Sequence, residues 1–386
     1  MNNFNFYNPT RICFGEGKIQ ELDKWVPADA KVLILLGGES ARRNGTLDEV
    51  QTALGERDVE IFSGIEPNPT FETLSKAVTQ ARDSQRDYLL AVGGGSVIDG
   101  CKFVAAATVY PGEDTWDILK TGGRCIKQAL PYGTVLTLPA TGSEMNKGAV
   151  VTRRSINAKL PFSSEQVFPA FSILDPTKCY TLPPRQVANG SVDAFVHIIE
   201  QYLTYPANAP VQDRFAEGLL QTLIELGPRS LSEPENYDVR ANLMWVATLA
   251  LNGLIGCGVP QDWATHMLGH ELTALHNLDH AQTLAIVLPS MLAHRRDEKL
   301  DKLVQYATRV WGISEGSDTE KADAAIAKTR AFFESMGVGT RLSDYDLNAS
   351  HIPALIDSLS EHGMTRLGER GDVTPEVCRQ VLEASV

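Results

Sequence analysis

At 386 residues the chain is too long for one ordinary hydrophobic core, and 43% apolar against 22% charged residues exclude the disordered and collagen-like classes. Lys plus Arg number 35 against 48 Asp plus Glu, a formal net charge of −13 that repels a nucleic-acid backbone and an anionic membrane surface alike. Neither is therefore expected as a partner, whereas small anions stay open, because a helix N-terminus binds them whatever the global charge.

The opening stretch MNNFNFYNPTRICF has neither a basic nor a long apolar region, so no secretory signal is expected and a cytoplasmic location is. Read as an extended strand, it is a candidate for pairing with the edge of a second subunit. Cys13, Cys101, Cys125, Cys179, Cys257 and Cys378 are scattered without a C-x-x-C pair, which fits reduced, buried thiols. Up to about residue 185, apolar runs ending in glycine alternate with helical stretches: KVLILLGG (31–38), DYLLAVGGG (87–95) and YGTVLTLPATGSE (132–144). Continuous apolar strands of this kind predict a parallel sheet covered on both faces, an α/β domain with Rossmann-like dinucleotide binding over residues 1–185.

Pro183 and Pro184 then break the chain, and 3.6-residue periodicity takes over. An all-α domain is expected over 186–386, with helices near 187–204, 211–226, 237–256, 261–276, 280–294, 297–312, 318–336, 350–361 and 374–384. The longest uncharged run, LMWVATLALNGLIGCGV (243–259), carries Thr248 and Asn252 and reads as a buried core helix, not a membrane span.

DYLLAVGGGSVIDGCKFVAAA is a strand, three glycines, a serine and a helix. Glycine lets backbone approach an anion closely, and the N–H groups of a helix's first turn point at it. The stretch thus reads as a pyrophosphate cradle, the alternative being a plain capped turn. It matches neither G-x-G-x-x-G, since Ile98 replaces the third glycine, nor a Walker A loop. Thr137, Thr141, Gly142 and Ser143 offer a second contributor at another strand end, where ligands of open parallel sheets bind. In GGESARRNG (37–45), Arg42 and Arg43 suit a 2′-phosphate while Glu39 suits an unmodified ribose, and surface charge alone explains all three equally well.

Four of the eight histidines fall within HMLGHELTALHNLDH (266–280). Asp193 and His197 lie one helical turn apart beside the apolar stripe Val192, Phe195, Val196, Ile199 and Leu203, and His266 and His270 repeat that spacing. Ala274 stands where a zinc peptidase would need its second histidine, so H-E-x-x-H is absent. Asp279 reads as an N-cap with Gln282 three residues on, putting His280 on the first helical turn. Asp193, His197, His266 and His280 together offer one carboxylate and three imidazoles, a donor set for Zn²⁺ or Fe²⁺. His270 is left as a fifth donor or a proton-handling group, and His276 as structural. Scattered surface histidines are the competing explanation.

GGGSVID, PATGSE, DAFVHIIEQY and GVPQDWATHMLGHELTALHNLDHAQTLAIVLP, in that order, resemble the iron-dependent (group III) alcohol dehydrogenases, and RICFGEGKIQEL and EPNPT extend the likeness over nearly the whole chain. Within that family it is most like the bacterial NADPH-dependent aldehyde reductases and butanol dehydrogenases. The resemblance implies Asp193, His197, His266 and His280 as metal ligands, for iron or zinc, and His270 as a catalytic histidine lining the substrate cleft. It implies Gly94, Gly95 and Ser96, with Asp99 on the following helix, as the pyrophosphate loop. Thr137, Leu138 and Ser143 match a cofactor-facing strand end, Lys159 a lysine near the nicotinamide ribose, and Gly37, Gly38 and Ser40 the adenosine-ribose turn. NAD-preferring members usually carry aspartate where this chain has Gly37, which favours NADP(H); Glu39 departs from that pattern.

The function implied is reversible hydride transfer between NAD(P)H and aldehydes or primary alcohols by a homodimer. Two other readings compete. A metal- and NAD-dependent cyclase resembling dehydroquinate synthase would want basic groups near the metal for a phosphorylated substrate, and 193–200 and 262–282 hold no Lys or Arg. A metal-storage protein has no use for the glycine-rich loop.

Overall fold

The structure, a computed structural model, describes residues 1–386. It comprises two compact units. The first, residues 7–182 and 234–248, contains strands β1 (Arg11–Phe14), β2 (Lys31–Leu36), β3 (Asp58–Phe62), β4 (Tyr88–Gly94), β5 (Tyr132–Leu138), β6 (Gly148–Arg153), β7 (Ala158–Ser163) and β8 (Phe171–Leu174). Six of these form a wholly parallel sheet in the order β1-β8-β5-β4-β2-β3, while β6 and β7 make a separate antiparallel hairpin.

Alternation along each strand explains why both sheet faces are covered. Leu33 and Leu35 of β2 join Leu89 and Ala91 of β4 in one core, and Val32, Ile34 and Leu36 join Leu90 and Val92 in the other. Because the side chains of β2 from Val32 on and of β4 up to Val92 are buried on both faces, these central strands read as continuous apolar runs, as a doubly covered parallel sheet requires. The chain steps outward from β2 to β3, then returns to the other side of β2 with β4 and continues to β5 and β8. That reversal opens a crevice beyond the carboxyl ends of β2 and β4, where Gly37-Gly38 and Gly93-Gly94-Gly95 stand.

Several expected boundaries moved. RICF is the edge strand of its own sheet, bonded to β8, while residues 1–6 group with the helical unit, Asn2 N–H donating to the Gly258 carbonyl at 2.8 Å. The helix expected over 237–256 ends at Ala250, before Asn252 and the left-handed Gly253 (φ 92°). The run 243–259 is thus half helix and half turn, and its first part packs with the α/β unit, Trp245 lying edge-on to Phe14 with ring centroids 6.1 Å apart. Helix Pro210–Ser232 runs through Pro228 and past the limit of 226 expected for it, with Leu220, Leu223 and Gly227 buried along it.

The second unit, residues 1–6, 183–233 and 249–386, is built of helices. Helix Pro184–Tyr202 is its centre, buried from Val187 to Tyr202 except at Asn189. Phe195 packs on Phe332 and Phe333 with centroids 5.2 and 5.4 Å away. Helix Ala264–His276 turns Leu268 and Leu272 into a core shared with Ile286, Val287, Leu355 and Leu359, leaving His266 and His270 on its other face. Gly269 lets the next helix, His280–His294, come close: a Cβ there would stand 2.8 Å from Thr283 Oγ1. No helix is long and apolar enough to cross a membrane.

Candidate metal centre and cofactor turns

Asp193 and His197, on one face of helix Pro184–Tyr202, are both buried. His266 comes from the first turn of helix Ala264–His276, and His280 opens helix His280–His294 behind the capping box of Asp279 and Gln282, as expected from LDHAQ. Asn189 Nδ2 and Arg185 also reach Asp279, at 2.8 and 3.2 Å. One donor atom from each of Asp193, His197, His266 and His280 lies within 4.8 Å of all the others. Asp193 Oδ1 is 3.7 Å from His197 Nδ1 and 3.6 Å from His280 Nε2, close to the roughly 3.4 Å that separates ligands of a tetrahedral ion with bonds near 2.1 Å.

The chemistry of these groups also fits a cation. Burial, with His266 alongside, holds His197 well below the usual imidazole range and hence neutral, as a metal ligand must be. The rings of His197 and His266 stack with centroids 4.6 Å apart, an arrangement two imidazolium ions would resist. His197 Nδ1 and His266 Nε2 are buried without a hydrogen-bond partner. His270 stands beside the four, its ring 5.4 Å from that of His280 and 6.5 Å from that of His266. His276 lies apart, edge-on to His351.

Glu200 was not anticipated. Its Oε1 accepts the Thr265 N–H at 2.7 Å and its Oε2 contacts His266 Nδ1. A carboxylate there fixes the Nδ1–H tautomer and turns Nε2 toward the other donors. The signal was present: Glu200 follows Asp193 by two helical turns and His197 by one.

In the α/β unit, β4 delivers Gly93 and Gly94 to the N-terminus of helix Gly95–Thr108. A Cβ on Gly93 would meet Val97 at 2.5 Å, one on Gly94 would meet Leu138 at 2.9 Å, and one on Gly95 would meet Thr141 Oγ1 at 2.4 Å. Gly93 is thus required by Val97 of the helix it leads into, Gly94 by the end of β5 and Gly95 by the turn that follows β5. Ser96 Oγ accepts the Asn68 N–H at 3.3 Å, and Lys159 Nζ donates to Asn68 Oδ1 at 2.9 Å. Gly37 follows β2, where a Cβ would press on the Ile65 carbonyl at 3.2 Å, and Gly38 has open space around it. Ser40 begins the single turn Ser40–Arg43, in which Arg42 lies 3.7 Å from Glu39 and reaches Ser63 Oγ at 3.2 Å. Thr137 and Leu138 end β5, and the Thr137 carbonyl faces Cys179 Sγ at 3.5 Å.

Asp99 and Ser143 are engaged with the protein itself. Ser143 Oγ donates to Asp99 Oδ1 at 2.6 Å, and Asp99 Oδ2 accepts the Val150 N–H at 2.9 Å. Lys102, fully buried, donates to Ser143 Oγ (2.8 Å), Asn146 Oδ1 (2.8 Å) and the Gly148 carbonyl (2.7 Å), and burial lowers it to about 8. This cluster ties the glycine-loop helix to the turn after β5.

Comparison with known proteins decides the family. Residues 9–176 match the profile described as iron-containing alcohol dehydrogenase, and residues 187–373 the Fe-containing alcohol dehydrogenase family, C-terminal. The chain belongs to the iron-containing alcohol dehydrogenase family. It is 63% identical, over the full length of both chains, to the NADPH-dependent aldehyde reductase YqhD of Escherichia coli, and 39% identical, again over both full lengths, to a probable NADH-dependent butanol dehydrogenase of Bacillus subtilis. A crystal structure of E. coli YqhD superposes with a TM-score of 0.99 at 62% identity, covering 100% of this chain and 99% of that one. The two profiles follow one another along the chain with the Pro183-Pro184 break between them.

Proposed function

We propose that this member of the family reduces aldehydes with NADPH, reversibly, at a divalent ion held by Asp193, His197, His266 and His280. The observation that carries the reading is the convergence of one carboxylate and three imidazoles from three helices into a single cluster, buried at Asp193, His197 and His266 and half-buried at His280, and the 63% identity to an NADPH-dependent aldehyde reductase supports the substrate and cofactor class. Iron or zinc at these donors supplies Lewis acidity that polarises a carbonyl oxygen and steadies the charge growing on it, while the dinucleotide supplies the hydride.

The remaining work falls to the chain's own groups. Asp193 offsets part of the cation's charge, and Glu200 holds His266 in the tautomer that presents Nε2. His270, beside the donors, hands the proton to the product oxygen directly or through water. Gly94, Gly95 and Ser96 receive the diphosphate at a helix N-terminus. Asp99, Ser143 and Lys102 keep that turn in place, Thr137, Leu138 and Lys159 line the nicotinamide side, and Gly37, Gly38 and Ser40 leave room for the adenosine ribose. Arg42 and Arg43 serve a 2′-phosphate and NADP(H) is the preferred cofactor, in keeping with the NADPH dependence of the 63% identical relative, while Glu39, 3.7 Å from Arg42, is the one opposing charge in that turn. Residues 1–185 serve the cofactor and 186–386 the metal; a cytoplasmic homodimer is the accompanying proposal.

Metal-loaded protein mixed with NADPH and a short aldehyde should lose dihydronicotinamide absorbance only when aldehyde is present, and no such loss would remove the proposal. His280→Ala should lose bound metal and activity together with little change in thermal midpoint; activity with metal still bound would refute the ligand set. A cyclase of the dehydroquinate synthase kind is not favoured, since the comparisons return oxidoreductases.

A further inference from the structure

Trp263 is the one bulky residue in the left-handed backbone region. The non-glycine residues with positive φ are Asn68, Gln85, Asn157, Asn208, Asn277, Asp346 and Trp263, the last at 65°. Asn and Asp tolerate that region through short side chains that bond locally, and a large aromatic side chain does not. Trp263 is also the N-cap of helix Ala264–His276, a position that favours Ser, Thr, Asp, Asn or Gly, and it makes no side-chain cap bond; Asp262 and Glu200 serve the Ala264 and Thr265 N–H groups instead. On both counts tryptophan is a poor local choice.

Its neighbours hold it there. The Asp262 N–H donates to the Glu200 carbonyl at 2.8 Å, and Asp262 Oδ1 accepts the Ala264 N–H at 3.0 Å, gripping the chain on either side of Trp263. Asp262 Oδ2 lies 2.9 Å from the buried Lys299 ammonium, which also donates to the Leu203 carbonyl at 2.7 Å and to Glu369 at 2.8 Å. The indole N–H donates to Gln261 Oε1 at 2.9 Å. The outcome is an indole set edge-on to the His266 ring, centroids 5.2 Å apart at 72°, and 6.2 Å from the His197 ring at 60°. Glu200 therefore steadies both the His266 ring and the backbone that carries the indole.

We infer that Trp263 is the solvent seal of the metal centre: a positioning residue whose indole, clamped in a locally unfavourable conformation, covers the His197 and His266 imidazoles and slows escape of the ion. Backbone held against its preference beside a functional cluster is where such strain has a purpose, and the apolar shell around a metal site controls solvent access to it. The inference rests on the reading that these histidines hold a cation.

The test is release of Zn²⁺ from the loaded full-length protein into excess EDTA, alongside the thermal midpoint of the metal-free form. Trp263→Gly should leave the metal-free midpoint equal or higher, because glycine adopts positive φ freely, yet speed release roughly tenfold or more. Trp263→Phe, which keeps an aromatic face, should release close to the parent's rate. A Gly variant that releases Zn²⁺ at the parent's rate overturns the inference, as does a Phe variant that leaks as fast as the Gly variant. If Trp263→Gly does not fold, Trp263→Asn, also tolerant of this backbone region, carries the same comparison. A parent protein that binds no Zn²⁺ overturns the metal-centre reading beneath.

Discussion

Replacing Glu200 with glutamine tests how the proposed metal centre is preorganised. Glu200 is buried and serves two donors, the Thr265 N–H on Oε1 at 2.7 Å and His266 Nδ1 on Oε2. Glutamine has nearly the same shape but only one acceptor oxygen. If that oxygen stays with Thr265, the amide NH₂ faces Nδ1, which must then accept, moving the ring proton to Nε2 where it blocks coordination. If the amide turns over, Thr265 loses its buried acceptor, at a cost of about 1–3 kcal/mol. Loss of a carboxylate behind a ligating histidine weakens metal binding by roughly 10–100-fold, or about 1.4–2.8 kcal/mol. Zn²⁺ affinity by competition with a chromogenic chelator, together with the thermal midpoint of the metal-free protein, measures both effects. A Glu200→Gln variant that binds Zn²⁺ as tightly as the parent would refute the tautomer argument.

Three further outcomes are expected. Gly95→Ala places a Cβ 2.4 Å from Thr141 Oγ1, so it should destabilise by about 1–3 kcal/mol and weaken NADPH binding by fluorescence titration; an unchanged protein would show that the Thr141 turn yields freely. Arg42→Ala with Arg43→Ala should raise the Kd for NADPH more than that for NADH, and an equal rise would show that these arginines do not read the 2′-phosphate. Burial lowers Lys102 from 10.5 to about 8, so between those values the unfolded chain holds more protons than the folded one and this group makes stability rise with pH, by up to about 3 kcal/mol. Lys102→Met should flatten that part of the urea-unfolding profile measured from pH 7.5 to 10.5, and an identical slope in parent and variant counts against a depressed lysine.

Much of the site was legible because its signals are local. The four donors were chosen from i, i+4 spacing and a capping box, both settled within a few residues, and LDHAQ folded into the cap it spelled out. Strands ending in glycine pointed to the crevice for the same reason. Helix limits near 250 and 228 were not legible, since Asn252 and Gly253 stop a run whose hydrophobicity continues, and Pro228 is carried by a helix packed along its length. Lys102 and Asp99 were visible as residues, but their mutual service to Ser143 depends on a turn distant in sequence.

What the amino-acid order determines by itself is the inventory: two composition regimes, strands apolar on both faces, a glycine loop at a helix start, and three imidazoles with a carboxylate at helical spacing. Tertiary structure decides which of these meet. Hydrophobic burial is non-directional and sets that helices pack, whereas the approach at Gly269, the grip of Asp262 and Lys299 on Trp263, and the Glu200 bond to His266 set where their polar faces converge. Those are contacts between segments far apart along the chain, and only the packed arrangement makes them neighbours.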